Sequence, residues 1–102
     1  MDLTIYPGKL SGTIAAIPSK SQAHRLLICA AFSDKPTILY CSDTNQDIEA
    51  TASCLNQLGA KITRTADAYH VQPIKEIPSF AEIDCCESGS TLRFMLPIVC
   101  AL

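Results

Sequence analysis

Two stretches of this chain carry apolar residues at helical spacing, and a short apolar run lies between them. Ser19 or Ser21 precedes the first stretch as a possible N-cap, so residues 19–32 are predicted to form a helix. Residues 46–58 form the second predicted helix. The pattern therefore predicts two amphipathic helices that flank a buried strand at residues 36–41. The expected core positions are Ala23, Leu26, Leu27, Ala30 and Ala31 in the first helix and Ile48, Ala52, Leu55 and Leu58 in the second.

The ends of the second helix carry their own signals. Thr44 with Asp47 resembles a capping box, and Gly59 suits the position just after the last helical turn. Alternating side chains around a polar turn then predict a hairpin of residues 61–64 and 68–71.

Further strands are predicted at both sides of this region. Residues 3–6 and 13–17 have β character, with a Pro-Gly turn between them and Pro18 as the end of the second strand. Residues 81–84 form one more expected strand. The resulting order of elements predicts an α/β fold with helices packed on a mixed sheet.

A third helix is predicted to begin near Ser88 and to run through Val99, bent or interrupted by Pro97. The sequence stops while this apolar helix is still in progress. We therefore expect the chain to be a truncated piece of a longer protein.

Composition narrows the class of protein. Hydrophobic residues make up 48% of the chain and charged residues 18%, which favours a folded chain over a disordered one. A formal net charge of -2 without a basic run makes nucleic acid an unexpected partner. The sequence has neither a signal peptide nor an apolar stretch long enough to span a membrane, so a cytoplasmic protein without a membrane partner is expected.

The six cysteines have no Cys-x-x-Cys spacing, and we expect buried free thiols rather than a disulfide framework. Cys85 and Cys86 with His70 are a poor metal site, because adjacent strand residues point to opposite faces. No metal is therefore expected. His24 is predicted to lie on the helix surface, and His70 in the hairpin.

The start of the first helix combines Lys20, Ser21 and Arg25. Unpaired backbone N–H groups and the positive end of the helix dipole favour an anion there, and Ser21 and Arg25 share one face. These residues predict a site for phosphate or carboxylate. The alternative is an ordinary serine cap beside solvated surface charges.

A related pattern returns at the third helix, where Ser88-Gly89-Ser90 is followed by Arg93. Gly89 allows a ligand to approach the backbone closely, and Arg93 can form two parallel hydrogen bonds to an anion. The repetition indicates a second anion site. An ordinary capped glycine loop is the alternative.

These motifs resemble a known family. Residues 12–14 (Gly-Thr-Ile) and 17–21 (Ile-Pro-Ser-Lys-Ser), followed by Arg25, resemble the amino-terminal signature of EPSP synthases (3-phosphoshikimate 1-carboxyvinyltransferases). Gly89 with Arg93 resembles the second signature of the family. The resemblance covers essentially the whole chain and identifies it as the amino-terminal part of a family member.

The resemblance implies roles for individual residues. Lys20 resembles the lysine that touches both substrates and takes part in catalysis. Ser21 and Arg25 resemble residues that hold shikimate 3-phosphate. The related UDP-N-acetylglucosamine enolpyruvyl transferases normally have asparagine after the lysine, so Ser21 favours the shikimate enzyme.

For the second motif, the resemblance implies contacts with phosphoenolpyruvate. Gly89 resembles the glycine that lines that substrate's site, Arg93 a supporting arginine, and Ser90 a position usually occupied by threonine. Glu87 stands where the best-studied family members have asparagine, so the detail of this pocket is expected to differ.

The implied reaction transfers the enolpyruvyl group of phosphoenolpyruvate to the 5-hydroxyl of shikimate 3-phosphate, without cofactor or metal. The implied fold is an inside-out α/β barrel of repeated βαβαββ units. Residues 1–17 would pack with the other half of the enzyme, and residues 18–102 would begin the shikimate-binding half. The remainder of the chain is thus an implied partner.

The family's acidic base and further cationic ligands come from beyond Leu102, so this chain alone is expected to be inactive. The alternative function is a catalytically dead anion-binding or interaction module with the same fold. A purely structural domain would predict that neutralising Lys20 and Arg25 leaves ligand binding unchanged.

Overall fold

The computed structural model describes residues 2–17 and 19–102. Its helices and strands confirm the two predicted amphipathic helices, the strand between them, the hairpin and the third helix. The predicted strand end at Pro18 lies outside the described residues. The elements, in chain order, are α1 (Lys20–Ala31), β1 (Thr37–Tyr40), α2 (Gln46–Gln57), β2 (Lys61–Arg64), β3 (Ala68–Gln72) and α3 (Gly89–Ala101).

Side-chain caps begin the first two helices. Ser19 caps α1, as predicted, and its hydroxyl accepts a hydrogen bond from a backbone N–H of the first turn. The cap of α2 is Asn45, whose side-chain oxygen accepts from Ile48 N at 3.0 Å. The predicted capping box at Thr44 is wrong, because the Thr44 hydroxyl hydrogen-bonds the Tyr69 hydroxyl instead.

The sheet is three-stranded with the order β1-β3-β2, and both strand pairs are antiparallel. The predicted mixed sheet is therefore wrong over the described residues. Since β1 and β2 both run opposite to β3, they run in the same direction as each other, with α2 as the connection. β3 lies between them, so no two parallel strands are neighbours.

Helices cover one face of this sheet. α1 and α2 pack on it, and α3 packs against α2. Leu39, Tyr69 and Val71 face the helices and join the core, whereas Ile38 and Tyr40 on the opposite face of β1 are exposed.

The predicted core is correct for α2, where all four expected side chains are buried. In α1 the prediction is wrong only for Leu26, which is 42% exposed because it lies at the edge of the buried face. In α3, Met95 is buried while Leu92 and Leu96 are exposed, because that helix contacts the rest of the fold along a narrow strip.

Three predicted strands are absent from the described residues. Residues 3–6 and 13–17 form no ladder, and no strand in the described chain lies beside them to accept their hydrogen bonds. Their large apolar side chains are at least 80% exposed. Residues 81–84 are irregular because Ala81 and Ile83 pack against the helical core rather than beside a strand.

Pro97 lies inside α3, which continues to Ala101. The predicted interruption is therefore wrong, although the missing N–H of Pro97 removes one hydrogen bond from the helix. Among the helices in the described chain, none has the length and hydropathy needed to cross a membrane.

Candidate functional site

The first turns of α1 and α2 are joined by an ion pair. Lys20 Nζ donates to Asp47 Oδ2 at 2.8 Å, and the lysine side chain remains 55% exposed. An ammonium group has three N–H donors, so two remain available for a ligand. Lys20 is thus held in place and still able to bind an anion.

One turn further along, a buried contact joins the same two helices. His24 Nδ1 lies 2.6 Å from Thr51 Oγ1, and His24 is only 1% exposed. The prediction of a surface His24 is therefore wrong. The imidazole is buried because it lies on the α1 face that packs against α2, where the Thr51 hydroxyl provides the hydrogen bond that a buried polar group needs.

The contact continues into α3. Thr51 Oγ1 lies 2.7 Å from Thr91 Oγ1, which in turn lies 2.7 Å from Ser88 Oγ. Thr91 Oγ1 also lies 3.3 Å from the backbone oxygen of Asp47. We call this series of hydrogen-bonded side chains, His24, Thr51, Thr91 and Ser88, the hydroxyl ladder. It connects α1, the helix of the first motif, to Ser88 of the second motif through Thr51 of α2.

These contacts bring the amino-terminal ends of all three helices to one end of the fold. Ser88 caps α3 by accepting from Thr91 N at 3.1 Å, just as Ser19 caps α1 and Asn45 caps α2. The amino-terminal end of a helix carries a partial positive charge and unpaired N–H groups. Three such ends together favour negatively charged ligands.

The other predicted site residues surround this end. Ser21, Arg25, Gly89, Ser90 and Arg93 are all exposed. A methyl group added at Gly89 would meet no atom within 4 Å, so the space above the first turn of α3 is open.

Arg25 reaches across from α1 to α3. Its guanidinium carbon lies 5.4 Å from the centre of the Phe94 ring, and that ring also faces the His24 imidazole at 6.2 Å. The Phe94 ring thus favours this direction of the exposed Arg25 side chain through a cation–π contact. The basic side chain of the first motif therefore lies beside the helix that carries the second.

An open groove of about 450 Å³ runs beside Lys20. A separate cavity of about 520 Å³ lies near Gly59, at the opposite end of α2 and away from both motifs. We place the candidate site at the first groove, because Lys20 and the first turn of α2 line it. The other predicted site residues, Ser21, Arg25, Gly89, Ser90 and Arg93, are not part of its lining. Its lining residues are Ile17, Lys20, Asn45, Gln46 and Asp47.

Burial lowers the pKa of His24 below its ordinary value of 6.5; the Asp47 carboxylate opposes this effect and the Lys20 ammonium adds to it. As the pH falls below 6.5, the unfolded chain therefore takes up a proton before the folded chain does. The free energy of unfolding should decrease in that range, by at most about 1.4 kcal/mol per pH unit for one proton.

Denaturant unfolding of the chain and of a His24→Asn variant, measured above and below pH 6.5, checks this expectation. The chain should lose more stability on acidification than the variant, which lacks the titrating group. Equal losses in the two proteins would show that His24 does not titrate abnormally.

Sequence reasoning overlooked most of the hydroxyl ladder. The available signal was the presence of His24 and Thr51 on the apolar faces of their helices, where a polar side chain requires a buried partner. Thr91 has the same property in α3.

The cysteines are free, as expected. Cys41 and Cys54 are buried, but the expectation of burial is wrong for Cys29, Cys86 and Cys100, which are exposed because they lie outside the packed helix faces. In the described part of the chain, no three His, Cys, Asp or Glu side chains converge as metal ligands.

Comparison with known proteins gives a consistent result. Residues 5–102 match the family model of EPSP synthase (3-phosphoshikimate 1-carboxyvinyltransferase). A 3-phosphoshikimate 1-carboxyvinyltransferase of Clostridium beijerinckii is 46% identical over 105 residues, covering 95% of this chain and 24% of the relative. A protein of the same name from Clostridioides difficile is 39% identical over 107 residues, covering 94% of this chain and 24% of that relative.

Relatives from other clostridia show the same coverage. The protein from Clostridium botulinum strain Alaska E43 is 45% identical over an alignment of 102 positions that covers 94% of this chain and 24% of the relative. The chain therefore spans about a quarter of the length of the curated relatives it matches.

Proposed function

Because this chain belongs to the EPSP synthase family, we propose that it supplies the amino-terminal part of a 3-phosphoshikimate 1-carboxyvinyltransferase. The complete enzyme transfers the enolpyruvyl group of phosphoenolpyruvate to the 5-hydroxyl of shikimate 3-phosphate and releases phosphate. Both substrates carry several negative charges. A site formed at the amino-terminal ends of helices suits such ligands.

Shikimate 3-phosphate is the ligand we assign to the first motif. Lys20 provides two free N–H donors beside the groove, and Arg25 provides a planar guanidinium held against Phe94. Ser21 is exposed on the first turn of α1. Together these side chains can neutralise and orient a phosphate group.

Phosphoenolpyruvate is the ligand we assign to the second motif. The open space above Gly89 lets an anion approach the backbone of α3 closely, and Ser90 adds a hydroxyl donor. Arg93 adds a cation on the same helix. Lys20 is the group we place near both substrates, as the catalytic residue of this chain.

The observation that carries the proposal is the hydroxyl ladder. It holds the helix of the first motif and the helix of the second motif against α2 through buried hydrogen bonds of 2.6 to 2.7 Å. Reaction between two bound substrates requires them to be held side by side in a fixed orientation. A rigid link between the two motifs supports that requirement.

In the proposed reaction, the 5-hydroxyl adds to C2 of phosphoenolpyruvate, and the tetrahedral intermediate then eliminates phosphate. Lys20, Arg25 and the helix ends position the anions and stabilise the negative charge that accumulates between them. The acidic base of the reaction is assigned to the remainder of the enzyme. The chain alone is therefore expected to bind without turnover.

The order of elements supports the finer fold assignment. α1, β1, α2, β2 and β3 follow the order of the last five elements of a βαβαββ unit. We propose that residues 18–102 begin the shikimate-binding half of the inside-out barrel. Residues 1–17 pack with the other half, and the large apolar side chains between residues 3 and 17 are exposed. The complete enzyme is proposed to act in the cytoplasm, with the rest of its chain as the partner of this part.

Titration of shikimate 3-phosphate into isotopically labelled chain, followed by backbone amide shifts, tests the binding proposal. We expect specific shifts at Lys20, Ser21 and Arg25, and smaller shifts at the start of α3 through the hydroxyl ladder. Phosphate alone and UDP-N-acetylglucosamine are the control ligands. Equal shifts with phosphate alone would reduce the site to a general anion-binding module, and an absence of shifts would contradict a preformed substrate site.

A further inference from the structure

A pair of thiols lies where α2 meets the turn that leads into α3. Cys54 is buried on α2, Cys85 is half-buried in the turn, and their sulfur atoms are 3.9 Å apart. A disulfide bond is about 2.05 Å long, so the two sulfurs need to approach by about 2 Å to bond. A rotation of the Cys85 side chain with a small shift of the turn can provide this movement.

The partly exposed member of the pair borders an open apolar groove of about 210 Å³. The groove has room for a small uncharged molecule. The apolar side chains that line it with Cys85 include Ile83, Leu92, Met95 and Leu96. A reagent in this groove would meet the Cys85 sulfur before it met the fully buried Cys54.

We propose that Cys54 and Cys85 form a thiol–disulfide exchange site that reacts with small uncharged disulfides and closes into an internal disulfide. The Cys85 thiolate attacks one sulfur of the reagent, forming a mixed disulfide and releasing one reagent thiolate. The Cys54 thiolate then attacks Cys85 Sγ and displaces the second reagent thiolate. The two cysteines lose two electrons, the reagent disulfide gains them, and the two cysteine protons end on the released thiols.

Formation of the Cys54–Cys85 disulfide would shift the backbone at the start of α3. Ser88 N donates to the backbone oxygen of Cys85 at 3.0 Å, so the turn that moves is bonded directly to the residue that caps the helix. Cys86, which lies between Cys85 and Ser88 in sequence, has a positive φ of 51°, and this is uncommon for residues other than glycine. The inference concerns the chemistry of the thiols and does not depend on the proposed function.

The rate should depend strongly on pH. Burial, together with the neighbouring Cys85, Cys86 and Asp84, raises the pKa of Cys54 to about 12. Only the thiolate attacks a disulfide, so the second step should become about tenfold faster for each unit of pH increase below that value.

Hydroxyethyl disulfide is a suitable uncharged probe for the reduced chain. Peptide mapping is the readout, because the exposed Cys29, Cys86 and Cys100 can also form mixed disulfides with the reagent. We expect a Cys54–Cys85 link, formed with the loss of two hydrogen atoms from this pair and faster at higher pH. A Cys54→Ser variant should stop at a mixed disulfide on Cys85, and a Cys85→Ser variant should leave Cys54 unmodified. A Cys29→Ser variant, which removes an exposed thiol of α1, should form the Cys54–Cys85 link as the unchanged chain does.

Two results would overturn the inference. One is a lasting reagent adduct on Cys85 of the unchanged chain, without an internal link. The other is an internal disulfide that maps to a different pair, such as Cys85 with Cys86. Backbone amide shifts at Ser88 and Thr91 after closure would report the expected movement of the α3 cap, and unchanged shifts there would refute that consequence.

Discussion

Replacing Lys20 by methionine should weaken the binding of shikimate 3-phosphate to the chain by about ten- to a hundredfold. Hydrogen bonds to charged groups contribute roughly 1.5 to 3 kcal/mol, and each 1.4 kcal/mol corresponds to a tenfold change in affinity. Methionine keeps the apolar part of the side chain but removes the ammonium group. Amide-shift titrations of the two proteins with shikimate 3-phosphate measure the effect.

The fold should tolerate this change. The Lys20–Asp47 ion pair is largely exposed, with 55% and 34% of the two side chains accessible, and such pairs contribute at most about 1 kcal/mol. Lys35→Met is the matched control, because Lys35 is an exposed lysine in the turn after α1. If both variants bind shikimate 3-phosphate as the unchanged chain does, Lys20 is not a ligand of the substrate.

Replacing Gly59 by alanine should destabilise the fold by about 2 to 5 kcal/mol. Gly59 has a φ of +112°, where a side chain costs roughly 1 to 2 kcal/mol, and the added Cβ would lie 2.6 Å from the backbone oxygen of Glu76. Relieving such an overlap typically costs a further 1 to 3 kcal/mol or so. Domains are stable by only about 5 to 15 kcal/mol, so this variant should be largely unfolded in mild denaturant.

Gly8→Ala is the matched control for denaturant unfolding. A Cβ at Gly8 would meet no atom within 4 Å, and its φ is not positive, so the free energy of unfolding should change by less than about 0.5 kcal/mol. A Gly59→Ala variant as stable as the Gly8→Ala variant would show that the backbone oxygen of Glu76 does not lie against Gly59.

Local signals were sufficient to predict much of the fold. Apolar spacing and the serine and glycine signals at the helix ends place α1, α2 and α3, because these features depend on residues close together in the chain. Ser19 and Gly59 fulfil the predicted roles. Asn45 was missed as a cap because Thr44, its neighbour, has the same chemistry but is bonded to the distant Tyr69.

Features that depend on distant partners were harder to predict. The strand at residues 13–17 has the expected composition, but no described strand pairs with it, and pairing cannot be seen in a local pattern. The antiparallel sheet depends on the insertion of β3 between β1 and β2. Likewise, the motifs that contain Lys20 and Gly89 can be recognised in the sequence, whereas the buried contacts of His24 and Thr91 appear only when the three helices pack together.

The proposed function concerns a complete enzyme, and replacing part of a relative by this chain tests it most directly. This chain would replace the matching segment of the Clostridium beijerinckii protein, to which it is 46% identical. Release of phosphate from phosphoenolpyruvate is then measured with and without shikimate 3-phosphate. The account predicts a folded chimera that releases phosphate only when both substrates are present. A chimera that unfolds cooperatively like the parent protein, yet releases no phosphate, would contradict it.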